Sequence, residues 1–179
     1  MELKNKFIVT TTINDPTIAT YKFVEIAKRN NWTFVVVGDT KTPHLKYKDI
    51  DCVYLSPDMQ EHLSKDLSDT IGWKSIQRRN IGLLYAYNQG ADVVATVDDD
   101  NIPYDDWGKN LLVGQTVDCD LYEPVDDVFD PLSVTNTPEI WHRGYPIELL
   151  NRRNRVEYKG KKNRKVLVQA DLWDGDPDI

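Results

Sequence analysis

Phe7-Ile8-Val9 and Trp32-Thr33-Phe34-Val35-Val36-Val37 are two short apolar runs of the kind found in strands covered on both faces. Between them Ala19, Phe23, Ile26 and Ala27 recur at helical spacing. Asn14-Asp15-Pro16 opens that helix, with Asp15 as N-cap and Pro16 at the first helical position, and the helix should finish near Asn30-Asn31. Strand, helix and strand in such quick succession make a βαβ unit. Its crossover is right-handed and its strands are parallel, so helices must cover both faces of the sheet.

The next segments extend the pattern. Cys52-Val53-Tyr54-Leu55 is a third short strand, and residues 58–69 are polar, with one or two helical turns expected. Over residues 70–90 Trp73, Ile76, Ile81, Leu84 and Tyr87 recur at helical spacing, and Gly90 stands where a C′ residue belongs. Lys74, Arg78 and Arg79 fall in the first turns, where cations oppose the helix macrodipole. They are either a solvated ridge or a clamp on an anion.

A further strand, Val93-Val94-Ala95-Thr96-Val97, runs straight into Asp98-Asp99-Asp100-Asn101. Adjacent carboxylates repel one another unless a cation sits among them. All-oxygen ligands suit hard ions such as Mg2+ or Mn2+, and ligands of open α/β sheets bind at the carboxyl ends of strands. An acidic turn bathed in water is the plainer alternative.

Beyond this point the pattern weakens. Tyr104-Asp105-Asp106-Trp107 reads as the start of a short helix, and residues 118–130, acidic and broken by Pro124, as an irregular excursion. His142, within Trp141-His142-Arg143-Gly144-Tyr145-Pro146, is either structural or a metal ligand. Arg152, Arg153, Arg155, Lys159, Lys161, Lys162, Arg164 and Lys165 form a basic run that reads as a cationic hairpin turning at Tyr158-Lys159-Gly160-Lys161 and returning through Val166-Leu167-Val168. Such a hairpin is either simply solvated or attractive to an anionic donor or acceptor. Asp171-Leu172-Trp173-Asp174-Gly175-Asp176-Pro177-Asp178 supplies either metal ligands or a general base.

Composition narrows the function classes. The 179 residues suit one domain, and 40% hydrophobic content with five Trp and nine Tyr supports a real core. A net charge of -7 argues against a general nucleic-acid binder. Cys52 and Cys119 are too few for a disulfide scaffold and lack zinc-site spacing. No apolar run approaches the roughly 20 residues of a membrane span, so a soluble, cytoplasmic protein is expected. Neither G-x-G-x-x-G after the first strand nor G-x-x-x-x-G-K-[ST] occurs, which speaks against an NAD enzyme and a P-loop. Asp98 to Ile102 loosely imitates a phosphatase motif, but that motif normally ends the first strand of its domain.

Lys74-Ser75-Ile76-Gln77-Arg78-Arg79-Asn80-Ile81-Gly82, Gly90-Ala91 and Val97-Asp98-Asp99-Asp100-Asn101 together resemble the STELLO-type glycosyltransferases. More distantly they resemble the reversibly glycosylated polypeptides, which are UDP-arabinopyranose mutases. Val36-Val37-Gly38-Asp39 with Lys41-Thr42-Pro43, Arg143-Gly144-Tyr145-Pro146 and Leu172-Trp173-Asp174-Gly175-Asp176-Pro177-Asp178 also resemble STELLO-type segments, in the same order.

The resemblance implies an α/β, Rossmann-like GT-A fold: a mostly parallel central sheet flanked by helices, with a small C-terminal hairpin, as a single domain over residues 1–179. It implies a metal-dependent hexosyl- or pentosyltransferase that moves a sugar from a nucleotide-diphospho-sugar, a UDP-sugar by family habit, to a glycan, protein or small-molecule acceptor hydroxyl. Its aspartate (DXD-type) motif implies Mn2+ or Mg2+ at Asp98 and Asp100, with Asp100 the better direct ligand, acting as a Lewis acid on the leaving diphosphate. Thr10, Thr11 and Asp39, at the ends of the first two strands, are the expected nucleoside contacts. Lys74, Arg78, Arg79, Asp98 and Asp99 complete the donor site.

Arg79-Asn80-Ile81-Gly82 matches the Arg-x-x-Gly motif whose arginine carries the sugar in the mutases. A nucleotide-sugar mutase or self-glycosylating protein is therefore an alternative, as is a non-catalytic nucleotide-sugar-binding module. Phosphate binding is the simpler role for Arg78 and Arg79. Asp174 and Asp176 are the candidate general bases, or else further metal ligands. The chain stops just after them, as a C-terminally short form of such an enzyme would.

Overall fold

The computed structural model describes residues 3–171. The chain forms two compact units, Met1–Leu111 and Leu112–Ile179.

In the first unit four parallel strands lie in the order β3-β2-β1-β4: β1 is Lys6–Thr12, β2 Thr33–Gly38, β3 Val53–Leu55 and β4 Val93–Thr96. Pairs such as Ile8 with Phe34 and Ile8 with Ala95 put β1 in the middle. Helix α1, Ile18–Asn30, buries Ala19, Phe23 and Ala27 against Ile8, Phe34 and Val36 on one face, where Trp32 and Tyr47 join them. Helix α4, Arg79–Asn88, covers the other face, where Ile81 and Ala86 meet Val9, Val35 and Val37. The expected α/β, Rossmann-like architecture is present, and the unbroken burial of β1 and β2 explains why their sequences do not alternate.

Gly82 permits this packing. A Cβ there would run into Val9 Cγ1 and lie 2.8 Å from Val37 Cγ2, so only a bare α-carbon lets α4 approach the sheet so closely.

Several boundaries differ from expectation. Helix α1 is capped by Thr17, whose hydroxyl accepts from the Thr20 amide at 3.1 Å; Asp15 instead pairs with Lys46 at 2.5 Å. The polar stretch forms two helices, α2 at Pro57–Leu63 and α3 at Lys65–Ile71, each capped by a serine hydroxyl. The helix expected across residues 70–90 is broken after Ile71 by Gly72 and Lys74, both at positive φ, and resumes through the 3-10 turn Ile76–Arg78 into α4. Its C-terminus is as expected: Gly90 at φ 73 donates to Tyr87 and the Ala91 amide reaches back to Ala86. Tyr104-Asp105-Asp106-Trp107 forms turns rather than a helix.

The second unit holds the small antiparallel pair, but from other segments than the sequence suggested. Strand β5 is Thr116–Pro124, overlapping the stretch read as irregular, and its partner β6 is Val156–Lys165, one continuous basic strand. Gly160, at φ 81, sits where two residues of β6 face one of β5, so the supposed turn is a bulge. The acidic and basic runs neutralise each other: Asp120 accepts from Tyr158 at 2.7 Å and pairs with Lys161 at 3.5 Å, and Glu123 pairs with Lys159 at 3.8 Å. Buried beside a loop, Arg153 pairs with Asp130 at 2.9 Å, and the Asp130 carboxylate also accepts from the Leu132 amide at 3.1 Å.

Candidate functional site

Strand order reverses direction between β1 and β4, and there the ends of both strands open a crevice, the position at which doubly wound sheets bind ligands. The residues after β1 grip the aspartate loop after β4. Thr12 donates its hydroxyl to Asp99 Oδ2, Asn14 Nδ2 donates to the same oxygen at 3.0 Å, and Thr17 Oγ1 donates to the Asp99 carbonyl. Neutral donors thus hold the middle aspartate, and this fixes the residues on either side of it.

Asp98 and Asp100 differ sharply. Asp98 is ion-paired with Arg79, the first residue of α4. Asp100 is exposed and has no side-chain partner among the described residues. Among those residues no three His, Cys, Asp or Glu side chains converge to cage a cation by themselves. Mg2+ or Mn2+ bridging a diphosphate needs only one or two carboxylates, because the phosphates complete the shell. The all-oxygen donor set fits that requirement, with Asp100 available at once and Asp98 only in exchange with Arg79.

Next to this loop is a cavity of about 340 Å3, lined by Thr11, Thr12, Ile13 and Asn14 after β1, by Asp39 and Lys41 after β2, by Lys74, Ser75 and Ile76, and by Asp99. Its size suits a small ligand. Thr12, Asn14, Lys41 and Ser75 were not singled out from the sequence. The usable signal was position: Thr12 and Asn14 closely follow the apolar run of β1, and Lys41 and Ser75 lie within segments compared with the STELLO type.

The expected nucleoside contacts divide. Thr11 lines the cavity, though its hydroxyl donates to the Val37 carbonyl at 3.0 Å. Thr10, 2% exposed, lies outside the lining, and its hydroxyl oxygen is buried without a partner. Asp39 reaches the cavity, but its carboxylate is buried and occupied: Oδ1 accepts from the Thr40 amide at 2.6 Å and hydroxyl at 3.1 Å, Oδ2 from the amides of Lys74 at 2.8 Å and Ser75 at 3.4 Å.

Arg78, expected in the donor site, is 0% exposed and lies outside the cavity lining. Its guanidinium donates to Gln60 Oε1 at 2.9 and 2.5 Å and to Ser68 Oγ at 3.0 Å, and stacks on Trp73 at 3.7 Å. Burial holds it below the usual arginine range, with Asp39 and Glu61 opposing that shift. Gln60 in turn donates to Gly38 at 2.6 Å and Leu55 at 2.8 Å, so Arg78 braces the ends of β2 and β3.

No family model matches the chain. Two curated Arabidopsis thaliana proteins, named probable glycosyltransferase STELLO2 and probable glycosyltransferase STELLO1, are 27% and 26% identical to it over 97% of its length. The chain resembles the STELLO-type glycosyltransferases. It spans 24% of the length of each of these curated relatives. Among the segments first compared with the STELLO type, those around Asp39, Lys74 and Asp99 each supply residues of the cavity wall in the first unit. Arg143-Gly144-Tyr145-Pro146 lies in the second unit. There His142 is exposed, and its Nδ1 accepts from the Gly144 amide at 3.2 Å, a structural turn contact. Asp174 and Asp176 lie outside the described residues. Among the described residues, no helix is long and apolar enough to cross a membrane.

Proposed function

We propose that the first unit binds a nucleotide-diphospho-sugar, with a UDP-sugar as the expected donor, and that the chain is the donor-binding part of a metal-dependent glycosyltransferase. The observation that carries this reading is the grip of Thr12, Asn14 and Thr17 on Asp99 at the strand-order reversal, beside a ligand-sized cavity. It supports a donor diphosphate lying beside the two further carboxylates, Asp98 and Asp100.

Asp100, with Asp98 as the second ligand, would hold Mn2+ or Mg2+; when bound, the ion neutralises charge that develops on the leaving nucleotide. Thr11 would face the nucleoside. Asp174 or Asp176 would act as base towards an acceptor hydroxyl. A mutase would instead need Arg79 to take the sugar; because metal binding by Asp98 would also release Arg79 from its ion pair, covalent sugar on Arg79 is what separates the two readings.

Calorimetric titration of UDP and GDP, with and without Mn2+, tests the reading beside an Asp100→Ala variant. Metal-dependent UDP binding that the variant loses is the expected result. Failure of both nucleotides to bind under every condition would sink it.

A further inference from the structure

Lys74 holds a backbone conformation that lysine rarely adopts, with φ at 61. The other described non-glycine residue at positive φ, Asn31, merely ends α1. What keeps Lys74 there is a carboxylate distant in sequence: Asp39 Oδ2 accepts the Lys74 amide at 2.8 Å and the Ser75 amide at 3.4 Å. Asp39 is only 1% exposed, and its own amide is fixed by Thr42 Oγ1 at 2.7 Å. The left-handed turn projects Lys74 at the cavity wall, which Lys41 also lines. Both lysines are exposed, and neither ammonium has a partner among the described residues. Of the carboxylates that reach the same wall, Asp39 accepts donors on both oxygens, and Asp99 accepts Thr12 and Asn14 on Oδ2.

Two unpaired ammonium groups on long flexible stems at one cavity wall, beside carboxylates already held by hydrogen bonds, favour an anion whose charge is spread over several oxygens. We propose that Lys41 and Lys74 are the two arms of a diphosphate clamp, and that Asp39 is the positioning residue that sets Lys74 in it. This deepens the donor-site reading above and rests on it. It also exchanges the expected role of Asp39, recognition of the nucleoside, for one exerted through the Lys74 backbone.

The test is calorimetric titration of inorganic pyrophosphate, UDP and UMP at low salt into the wild-type chain and into Lys41→Ala, Lys74→Gly, Asp39→Asn and Asp39→Asn/Lys74→Gly. Each lysine variant should weaken pyrophosphate and UDP about tenfold, the scale of one lost charge-assisted contact, and flatten the salt dependence of binding. UMP should bind far more weakly than UDP and change little between variants. Lys74→Gly should also melt no lower than wild type, since glycine adopts this φ freely.

Asp39→Asn should weaken pyrophosphate too, yet the double variant should bind no worse than Lys74→Gly, because Asp39 acts only through Lys74. Additive losses would overturn the positioning role. Should Asp39→Asn not fold, hydrogen exchange in the wild type decides: protected Lys74 and Ser75 amides support the latch, and unprotected ones overturn it. Lysine variants that bind pyrophosphate within about twofold of wild type while UDP still binds would overturn the clamp and leave the donor site standing. A wild-type chain that binds neither ligand removes both.

Discussion

The guanidinium of Arg79 pairs with the carboxylate of Asp98, joining the first residue of α4 to the loop after β4. With side chains 23% and 44% exposed, the pair contributes little to stability, about 0–1 kcal/mol. Its larger effect is on what Asp98 is free to do. In Arg79→Ala, Asp98 loses its cation and stands open beside Asp100, so Mn2+ should bind roughly tenfold more tightly, the effect of deleting one nearby positive charge close to the surface. Electron paramagnetic resonance of free Mn2+ during titration reads this directly. Unchanged affinity would mean that Asp98 takes no part in cation binding.

Gly82→Ala tests the approach of α4 to the sheet. The added methyl group collides with Val9 and Val37, and although alanine favours the helix, overpacking of this kind should cost about 1–3 kcal/mol. Urea unfolding followed by far-ultraviolet dichroism should show a lower midpoint. A midpoint at or above wild type would contradict the close packing.

Alkaline pH should erode the first unit. Burial pushes the Tyr47 and Tyr54 hydroxyls from 10.0 to about 12, and burial with Asp51 nearby pushes the Cys52 thiol from 9.0 to about 11. The folded state therefore keeps these protons where the unfolded chain has released them. Stability from the neutral forms is complete below pH 9 and is lost between about pH 9 and 12, by up to about 2–3 kcal/mol per group. Near-ultraviolet tyrosinate absorbance should show two late-titrating residues, absent in Tyr47→Phe/Tyr54→Phe. Simple titration near pH 10 would refute their burial as neutral phenols.

Arg153→Met should be the most damaging change in the second unit. It leaves Asp130, 0% exposed, without its counter-ion, at a cost of about 3–5 kcal/mol. Replacing both residues with apolar ones should recover much of the loss. Thermal melts of the single and double variants compare them; a single variant as stable as wild type would show that the pair carries no weight.

The first unit was largely legible because its decisive signals are local. Short apolar runs gave β1 and β2, the spacing from Ala19 to Ala27 gave α1, and the triplet after Val97 marked the mouth of the crevice. What escaped depends on partners far away in sequence. Helical spacing continues through Trp73 and Ile76, yet Ile76 is 67% exposed and the chain there is captured by Asp39, a contact no window of residues contains. Arg78 carries the same side chain as Arg79, and only the arrival of Gln60 and Ser68 makes it a buried brace. Gly160 correctly signalled a positive φ, but a bulge requires that as much as a turn does, and the choice lay with β5.

The sheet order also sets a timetable for synthesis. β1 finds β2 almost at once, but its other edge can be closed only by β4, whose Val93 to Thr96 leave the ribosome long after Lys6 to Val9. Through that interval β1, with Phe7-Ile8-Val9 at its centre, carries an open row of amides and carbonyls, a template for strands of other nascent chains. The same late closure completes the crevice, since Asp99 reaches Thr12 only once β4 has docked. A chain halted before β4 would therefore be both prone to aggregate and unable to assemble the aspartate loop, so solubility and site formation should appear together as the chain is lengthened past Thr96.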